Sequence, residues 1–259
     1  MSIRFGLAGI GPVRDIEKTF AEFAGVGIRA AEISFTHGTY IKKKEDALKV
    51  KRAAKKFGIQ LSIHAPYWIN LNSDDLGKVK ASKQRILKAC EVGDWIGAKK
   101  VIFHCGYFMK KEKSGSYENI KNRIIEMQEE ANKHKWKVTL CPETMGKINV
   151  FGGVEEISQL VKDTDCGFCL DFAHILARDK KINWEKIEKL FPQKNWHCHF
   201  SGIEYGEKGE RNHIKTREKY WEWLLKHLPK NKNITVINEA PTPFEDAVRG
   251  LKVLRSMNK

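Results

Sequence analysis

Residues 78–104 read KVKASKQRILKACEVGDWIGAKKVIFH, and this stretch decides the fold. Its first part is amphipathic. Val79, Ile86, Leu87 and Cys90 return at helical spacing among Lys, Gln and Arg, which predicts a helix over 78–96. Gly97 follows directly, where a helix ends most easily on a left-handed residue. The chain then turns into 99–104, KKVIFH, whose β-branched and aromatic content reads as a strand, and that strand closes on His104.

Outward from this unit the rhythm repeats. Strands are predicted over 3–8, 30–35, 59–64, 99–104, 137–142, 166–171, 195–200 and 234–239. Helices are predicted over 13–25, 44–56, 78–96, 117–134, 154–162, 183–190, 216–228 and 243–257. Gly27 and Gly58 follow their helices as Gly97 does. Thr242-Pro243-Phe244-Glu245 opens the last helix with a capping Thr, Pro at the first helical position and an acid in the first turn. Eight strands alternating with eight helices within 259 residues predict an α/β protein, a single (β/α)8 TIM barrel occupying 1–259 as one domain. A doubly wound sheet is the alternative, but no G-x-G-x-x-G follows the first strand.

Composition narrows the class. Apolar residues make up 41% of the chain and charged residues 31%, enough to bury a large core and to exclude disordered and fibrous proteins. No apolar run is long enough to span a membrane, and the chain enters strand-like sequence at once without the parts of a signal peptide, so a cytoplasmic protein is expected. Lys and Arg number 47 against 32 Asp and Glu, a formal charge of +15 that suits nucleic acid or a phosphorylated substrate as partner, and on charge alone equally a solvated Lys-rich surface. Of the six cysteines only Cys166 and Cys169 form a C-x-x-C, with no second pair for a zinc ribbon, and they read as core residues.

The chemistry lies in where polar residues fall on the rhythm. The third strand ends in His64, the fourth in His104, and the fifth runs into Glu143. The sixth ends in Asp171 with His174 three residues on, the seventh carries His197 and His199, the eighth ends in Glu239, and His213 lies in a Gly- and charge-rich loop. A parallel barrel opens all strand C-termini on one face, so these residues converge on one mouth. Carboxylates gathered without Lys or Arg repel each other, and divalent cations remove the conflict. Imidazole plus carboxylate suits Zn²⁺ or Mn²⁺, two or more ions together.

On these residues the chain resembles the endonuclease IV family of apurinic/apyrimidinic (AP) endonucleases, among the xylose-isomerase-like barrels. The carrying segments are His64-Ala-Pro-Tyr-Trp-Ile-Asn-Leu, Phe103-His104-Cys-Gly, Pro142-Glu143-Thr-Met-Gly146, Leu170-Asp171-Phe-Ala-His174, His199-Phe-Ser-Gly and Asn238-Glu239-Ala-Pro, in order over about residues 3 to 255. The resemblance implies two to three zinc ions per chain, manganese being the alternative at one site. His64 and His104 would hold one ion, with Glu143 bridging to a second completed by Asp171, His199 and Glu239. His174 and His213 would hold a third. His197, of the same strand parity as His199, points one layer deeper. One departure stands out: Arg211 occupies the position where the family has an Asp ligand, so either Glu210 replaces it or the third ion is weak or missing.

The activity so implied is hydrolysis of the phosphodiester 5′ to abasic sites in duplex DNA, a base excision repair step, by a monomer whose open face admits the duplex. Glu143 or Glu239 would receive the proton of the attacking water. Tyr67 and Asn70 would reach the DNA beside the lesion, and Lys42, Lys43, Lys44, Lys110, Lys111 and Lys113 would neutralise phosphates. Two rival functions share these residues. A single-metal sugar isomerase or epimerase could use Glu143, Asp171, His199 and Glu239 alone, leaving His64, His104 and His174 surplus. A non-catalytic abasic-DNA-binding relative would retain the zinc without nicking.

Overall fold

The structure, a computed structural model, describes residues 2–109 and 111–257. Lys110, one of the lysines expected at the mouth, lies outside the described residues. Eight strands follow the predicted rhythm: β1 (Ser2–Ala8), β2 (Ala30–Ser34), β3 (Gln60–His64), β4 (Lys100–Phe103), β5 (Thr139–Pro142), β6 (Leu170–Asp171), β7 (Asn195–Phe200) and, after an inserted hairpin of β8 (Gly202–Gly206) and β9 (Gly209–Ile214), β10 (Asn233–Asn238). They form one sheet in the order β5-β4-β3-β2-β1-β10-β7-β6, and every neighbouring pair is parallel. The two ends meet: the Cys169 N–H donates to the Pro142 carbonyl at 3.0 Å and the Thr144 N–H to the Cys169 carbonyl at 3.1 Å. These bonds, with a parallel bridge between Glu143 and Cys169, close a (β/α)8 TIM barrel.

The helices are α1 (Ile16–Val26), α2 (Lys44–Phe57), α3 (Leu76–Ile96), α4 (Lys113–Lys133), α5 (Val154–Thr164), α6 (Phe172–Asp179), α7 (Trp184–Leu190), α8 (Glu218–His227) and α9 (Pro243–Met257). In the opening stretch Asp75 caps α3, its side chain accepting from the Lys78 N–H at 3.1 Å. At the other end Gly97 adopts φ 76°, and its N–H returns to the Asp94 and Gly93 carbonyls. A side chain at that φ would be strained, so the glycine sets where α3 stops and β4 begins.

Two elements depart from expectation. α6 begins at the residue after β6, with no intervening loop, because Asp171 is both the last residue of the strand and the helix cap, its carboxylate accepting from the His174 N–H at 2.8 Å. The run FAHILARD carries no turn residue to announce that change. The loop expected around His213 is the β8–β9 hairpin, whose charged sequence hides its alternation.

Apolar side chains of the strands' outer faces and the helices' inner stripes form a continuous core that includes Phe5, Phe20, Phe103, Phe151 and Trp221. Inside the barrel a smaller apolar group, Ile102, Cys141 and Cys169, lines part of the floor. All six cysteines are buried and free, as a core reading of them requires. Among the described residues no helix is long and apolar enough to cross a membrane.

Candidate metal centre

Parallel strands deliver their last residues to one face, and here they deliver ligand-type side chains to one point. Glu143, just past β5, sits at the centre with no exposed surface. Its Oε2 lies 3.1 Å from His64 Nε2 and 3.2 Å from His104 Nε2, while its Oε1 lies 3.3 Å from both His199 Nδ1 and His174 Nδ1. The carboxylate therefore faces two groups, one through each oxygen. Among the described residues ligand-type atoms form four sets that each gather within 4.8 Å: His64, His104 and Glu143; Glu143, Asp171, His199 and Glu239; Asp171, His174 and His213; and Cys169, His197 and His199. These are clusters that could hold metal ions.

Several local bonds aim the rings. His64 Nδ1 donates to the Ala65 carbonyl at 2.7 Å, leaving Nε2 toward Glu143. His174 Nδ1 lies 3.0 Å from the Thr144 carbonyl, and His213 Nδ1 lies 3.3 Å from the Glu239 carbonyl and 3.1 Å from Ser201 Oγ. A carbonyl can only accept, so both Nδ1 atoms carry hydrogen when these rings are neutral. In that neutral form their Nε2 lone pairs would face each other across 3.1 Å, a conflict that a proton on His174 or a metal ion between the rings relieves. Asp171 Oδ2 is buried without any hydrogen-bond partner, which again fits a site built for a positive ion.

The hairpin explains the departure at Arg211. β8 and β9 pair Glu204 with Asn212 and Tyr205 with Glu210, so Arg211 is the extra residue of a β-bulge. A bulge shifts strand parity by one. Glu210 and His213, which strict alternation would put on opposite faces, both turn toward the centre: Glu210 Oε2 lies 3.5 Å from His174 Nε2 and Oε1 3.9 Å from His213 Nε2. Arg211 instead packs across Gly206, where an added Cβ would meet its guanidinium at 2.8 Å. The Arg is not aimed at the site.

Charges at the centre hold one another. Burial works to raise the Glu143 carboxyl, but the imidazoles of His199, His104 and His174 outweigh it and keep it well below the usual carboxylate range. Burial likewise opposes the charged form of His64, yet Glu143 beside it raises that imidazole to about 9. His199 and His174 are also held well above the ordinary value against burial, His199 by Cys169 and Glu239 among its neighbours and His174 chiefly by Asp171 and Glu143. Burial raises the Asp171 carboxyl. Without metal, protons on three rings balance the clustered carboxylates, which is the positive charge that divalent ions would replace.

Above this centre opens a cavity of about 490 Å³ lined by Tyr67, His104, Tyr107, Lys147, Glu210 and His213, among others. The half-exposed Tyr67 ring stacks on His104, with centroids 5.5 Å apart and planes 5° from parallel, and meets His64 edge-on. Asn70 is placed differently: its Oδ1 accepts from the Asn72 N–H at 3.1 Å and the Tyr107 N–H at 3.3 Å, joining the loops after β3 and β4. Lys111 is also committed, to the Asn72 carbonyl at 2.8 Å and Asp74 at 2.6 Å.

Sequence reasoning missed Glu32. It lies mid-strand in β2, fully buried, with Oε2 2.7 Å from Ser62 Oγ and 2.9 Å from His197 Nε2, and Oε1 2.8 Å from His199 Nε2. The available signal was a lone acid in Ala30-Ala31-Glu32-Ile33, where a charge in an otherwise apolar strand must find partners. His197 does point inward one layer below His199, as its parity requires.

A family model described as xylose isomerase-like TIM barrel matches residues 20–257. An uncharacterized protein of Methanocaldococcus jannaschii is 34% identical, over 96% of this chain and 95% of its own length. A probable endonuclease 4 of Mycobacterium marinum is 27% identical over 54% of each chain, so the match spans about half of that relative. Among solved structures, endonuclease IV from Thermus thermophilus superposes with TM-score 0.74 at 19% identity, covering 98% of both chains. A D-tagatose 3-epimerase-like protein superposes with TM-score 0.70 at 20% identity, covering 98% of this chain and 96% of that one. At such identities the superpositions speak for the fold alone.

Proposed function

The chain belongs to the xylose isomerase-like TIM barrel family, and we propose that within it the protein is a metal-dependent AP endonuclease that hydrolyses the phosphodiester 5′ to abasic sites in duplex DNA. The observation that carries this reading is the surplus of ligand-type side chains around a shared carboxylate. A single-metal isomerase needs four such groups, whereas three further imidazoles, His64, His104 and His174, surround Glu143 here. The endonuclease 4 relatives and the net charge of +15 support the same choice over a sugar epimerase.

In this proposal His64 and His104 would hold one zinc ion with Glu143, and Glu143 with Asp171, His199 and Glu239 would hold a second. His174 and His213 would hold a third, with Glu210 in place of the missing Asp; manganese is the alternative at one position. When bound, the ions make a water acidic enough to attack at neutral pH and neutralise charge gathering on the phosphate. The chain's own residues do the rest. Glu143, reaching both groups, or Glu239, at the rim, accepts the proton released by that water. Tyr67 covers His64 and His104 and presents a rigid aromatic edge to the gap left by the missing base, sheltering the reacting phosphate from bulk water. Asn70, whose Oδ1 ties the loops after β3 and β4 together, reaches the DNA beside the lesion through its side-chain Nδ2.

The test is one experiment with two substrates. Metal content is measured by mass spectrometry, and the protein is incubated with a duplex bearing one tetrahydrofuran abasic analogue, with and without EDTA, and in parallel with ketohexoses. Two or three metals per chain and an EDTA-sensitive nick 5′ to the lesion are expected. A single metal with sugar epimerisation overturns the assignment, and metal with tight abasic-DNA binding but no nick indicates the non-catalytic relative.

A further inference from the structure

Beneath the metal centre lies a buried charge that the mechanism above does not use. Glu32 sits on β2, across the barrel floor from the strand end that carries Glu143, and has no exposed surface. Three groups from two other strands converge on it: Ser62 of β3, and His197 and His199 of β7. Register explains why. Glu32 pairs with Ser62 across β2 and β3, and His197 and His199 share one parity, so all four point into the barrel.

The contact with His199 is the informative one. His199 turns Nδ1 to the centre, 3.3 Å from Glu143 Oε1 and 3.3 Å from Glu239 Oε2, and turns Nε2 the other way, to within 2.8 Å of Glu32 Oε1. The approach is bent, so neither His199 Nε2 nor Glu32 Oε1 completes a well-formed hydrogen bond, and neither has a partner elsewhere. Cys169 also borders the ring, but its buried thiol stays protonated and accepts weakly, so Glu32 is the charged acceptor beside that ring hydrogen. A carboxylate placed there favours hydrogen on Nε2, which leaves the Nδ1 lone pair free for a ligand on the opposite side of the ring. A hydrophobic residue in the same place would leave the Nε2 hydrogen buried and unmet.

We propose that Glu32 is a positioning residue of the metal centre, which fixes the tautomer and orientation of His199 so that Nδ1 faces the ion shared with Glu143, Asp171 and Glu239. The role rests on the metal-centre reading but not on the DNA substrate. Ser62 and His197 hold the other carboxylate oxygen and so keep Glu32 from swinging toward the centre and becoming a ligand itself. The barrel floor then acts as a bracket. Glu32 is attached to β2, which contributes no ligand, and carries that strand's rigidity to the ring on β7.

The experiment reads metal binding and ring state, with no nuclease assay. Zinc affinity of the full chain is measured by competition with a chromophoric chelator for wild type, Glu32→Gln, Glu32→Ala and Ser62→Ala. In the zinc-loaded proteins, labelled with ¹⁵N-histidine, long-range proton–nitrogen spectra report the His199 tautomer. Glu32→Gln and Glu32→Ala are expected to weaken one zinc equivalent by about 10–100-fold and to lose the uniform Nε2–H signature. Ser62→Ala loosens Glu32 but leaves His197 holding the same oxygen, so it is expected to lose less zinc affinity than either Glu32 variant and to keep the His199 tautomer. Unchanged affinity and tautomer in folded Glu32→Gln, or equal losses in Ser62→Ala, overturn the role. Because DNA is absent throughout, a protein that binds zinc normally but does not nick abasic duplex would defeat the proposed activity and leave this result standing.

Discussion

At the scale of the residue, Glu143 carries the most weight. Its two oxygens divide between His64 with His104 on one side and His174 with His199 on the other, all within 3.3 Å. Replacing it with Gln keeps the shape and removes the shared negative charge. Turnover on abasic duplex should fall on the order of 10³-fold, with abasic-DNA affinity changed far less. A Glu143→Gln variant within a few-fold of wild-type turnover would remove the bridging role. Glu143 was legible in the sequence because it follows a strand directly and stands where barrel chemistry belongs. Glu32 was not, because a mid-strand acid tells nothing of its partners until β3 and β7 are known to face it. Asn70 shows the converse. Its position after His64 suggested a surface contact, and the structure adds a task no local pattern declares: its Oδ1 accepts from the Asn72 and Tyr107 amides, under a Gly106 so close that an added Cβ would meet that oxygen at 2.4 Å.

At the scale of the element, the β8–β9 hairpin decides whether a third ion has a home. The bulge at Arg211 puts Glu210 and His213 on one face, and the hairpin's base is tied down at Thr216, whose Oγ1 accepts from the Gly202 and Asn238 amides and whose N–H donates to buried Asp246. Glu210→Ala should therefore cost about one metal equivalent per chain by mass spectrometry, whereas Arg211→Ala should keep the full complement. Equal metal content in both variants would detach Glu210 from the site. The sequence exposed only the mismatch, an Arg where a ligand was expected. Strand parity around a bulge depends on how two strands pair, and no local pattern in Gly209–Ile214 declares it. α6 is similar: Asp171 capping a helix in the same residue that ends a strand needs both elements in place before it can be seen.

At the scale of the whole molecule, charge and openness set how a duplex would be met. Lys42 and Lys43 on the loop after β2, and Lys44 and Lys113 at the starts of α2 and α4, are exposed, while Lys111 is bound to Asp74. Four lysines meeting four phosphates predict that abasic-duplex affinity falls by about 10²-fold between 50 and 200 mM salt, measured by anisotropy. Lys111→Ala should leave that slope unchanged, and a flat salt dependence would separate the basic surface from DNA binding. The eight-strand rhythm, the glycine-ended helices and the ligand-type residues at six of the eight strand ends were fixed by local chemistry: helical and strand periodicities, left-handed caps and turn residues act over a few positions and are written there. What only the tertiary structure decided was which side chains meet. The join of β5 to β6, the pairing of Glu32 with two histidines 165 and 167 positions away, and the turning of Glu210 inward are long-range contacts, and they exist only once the sheet has closed on itself.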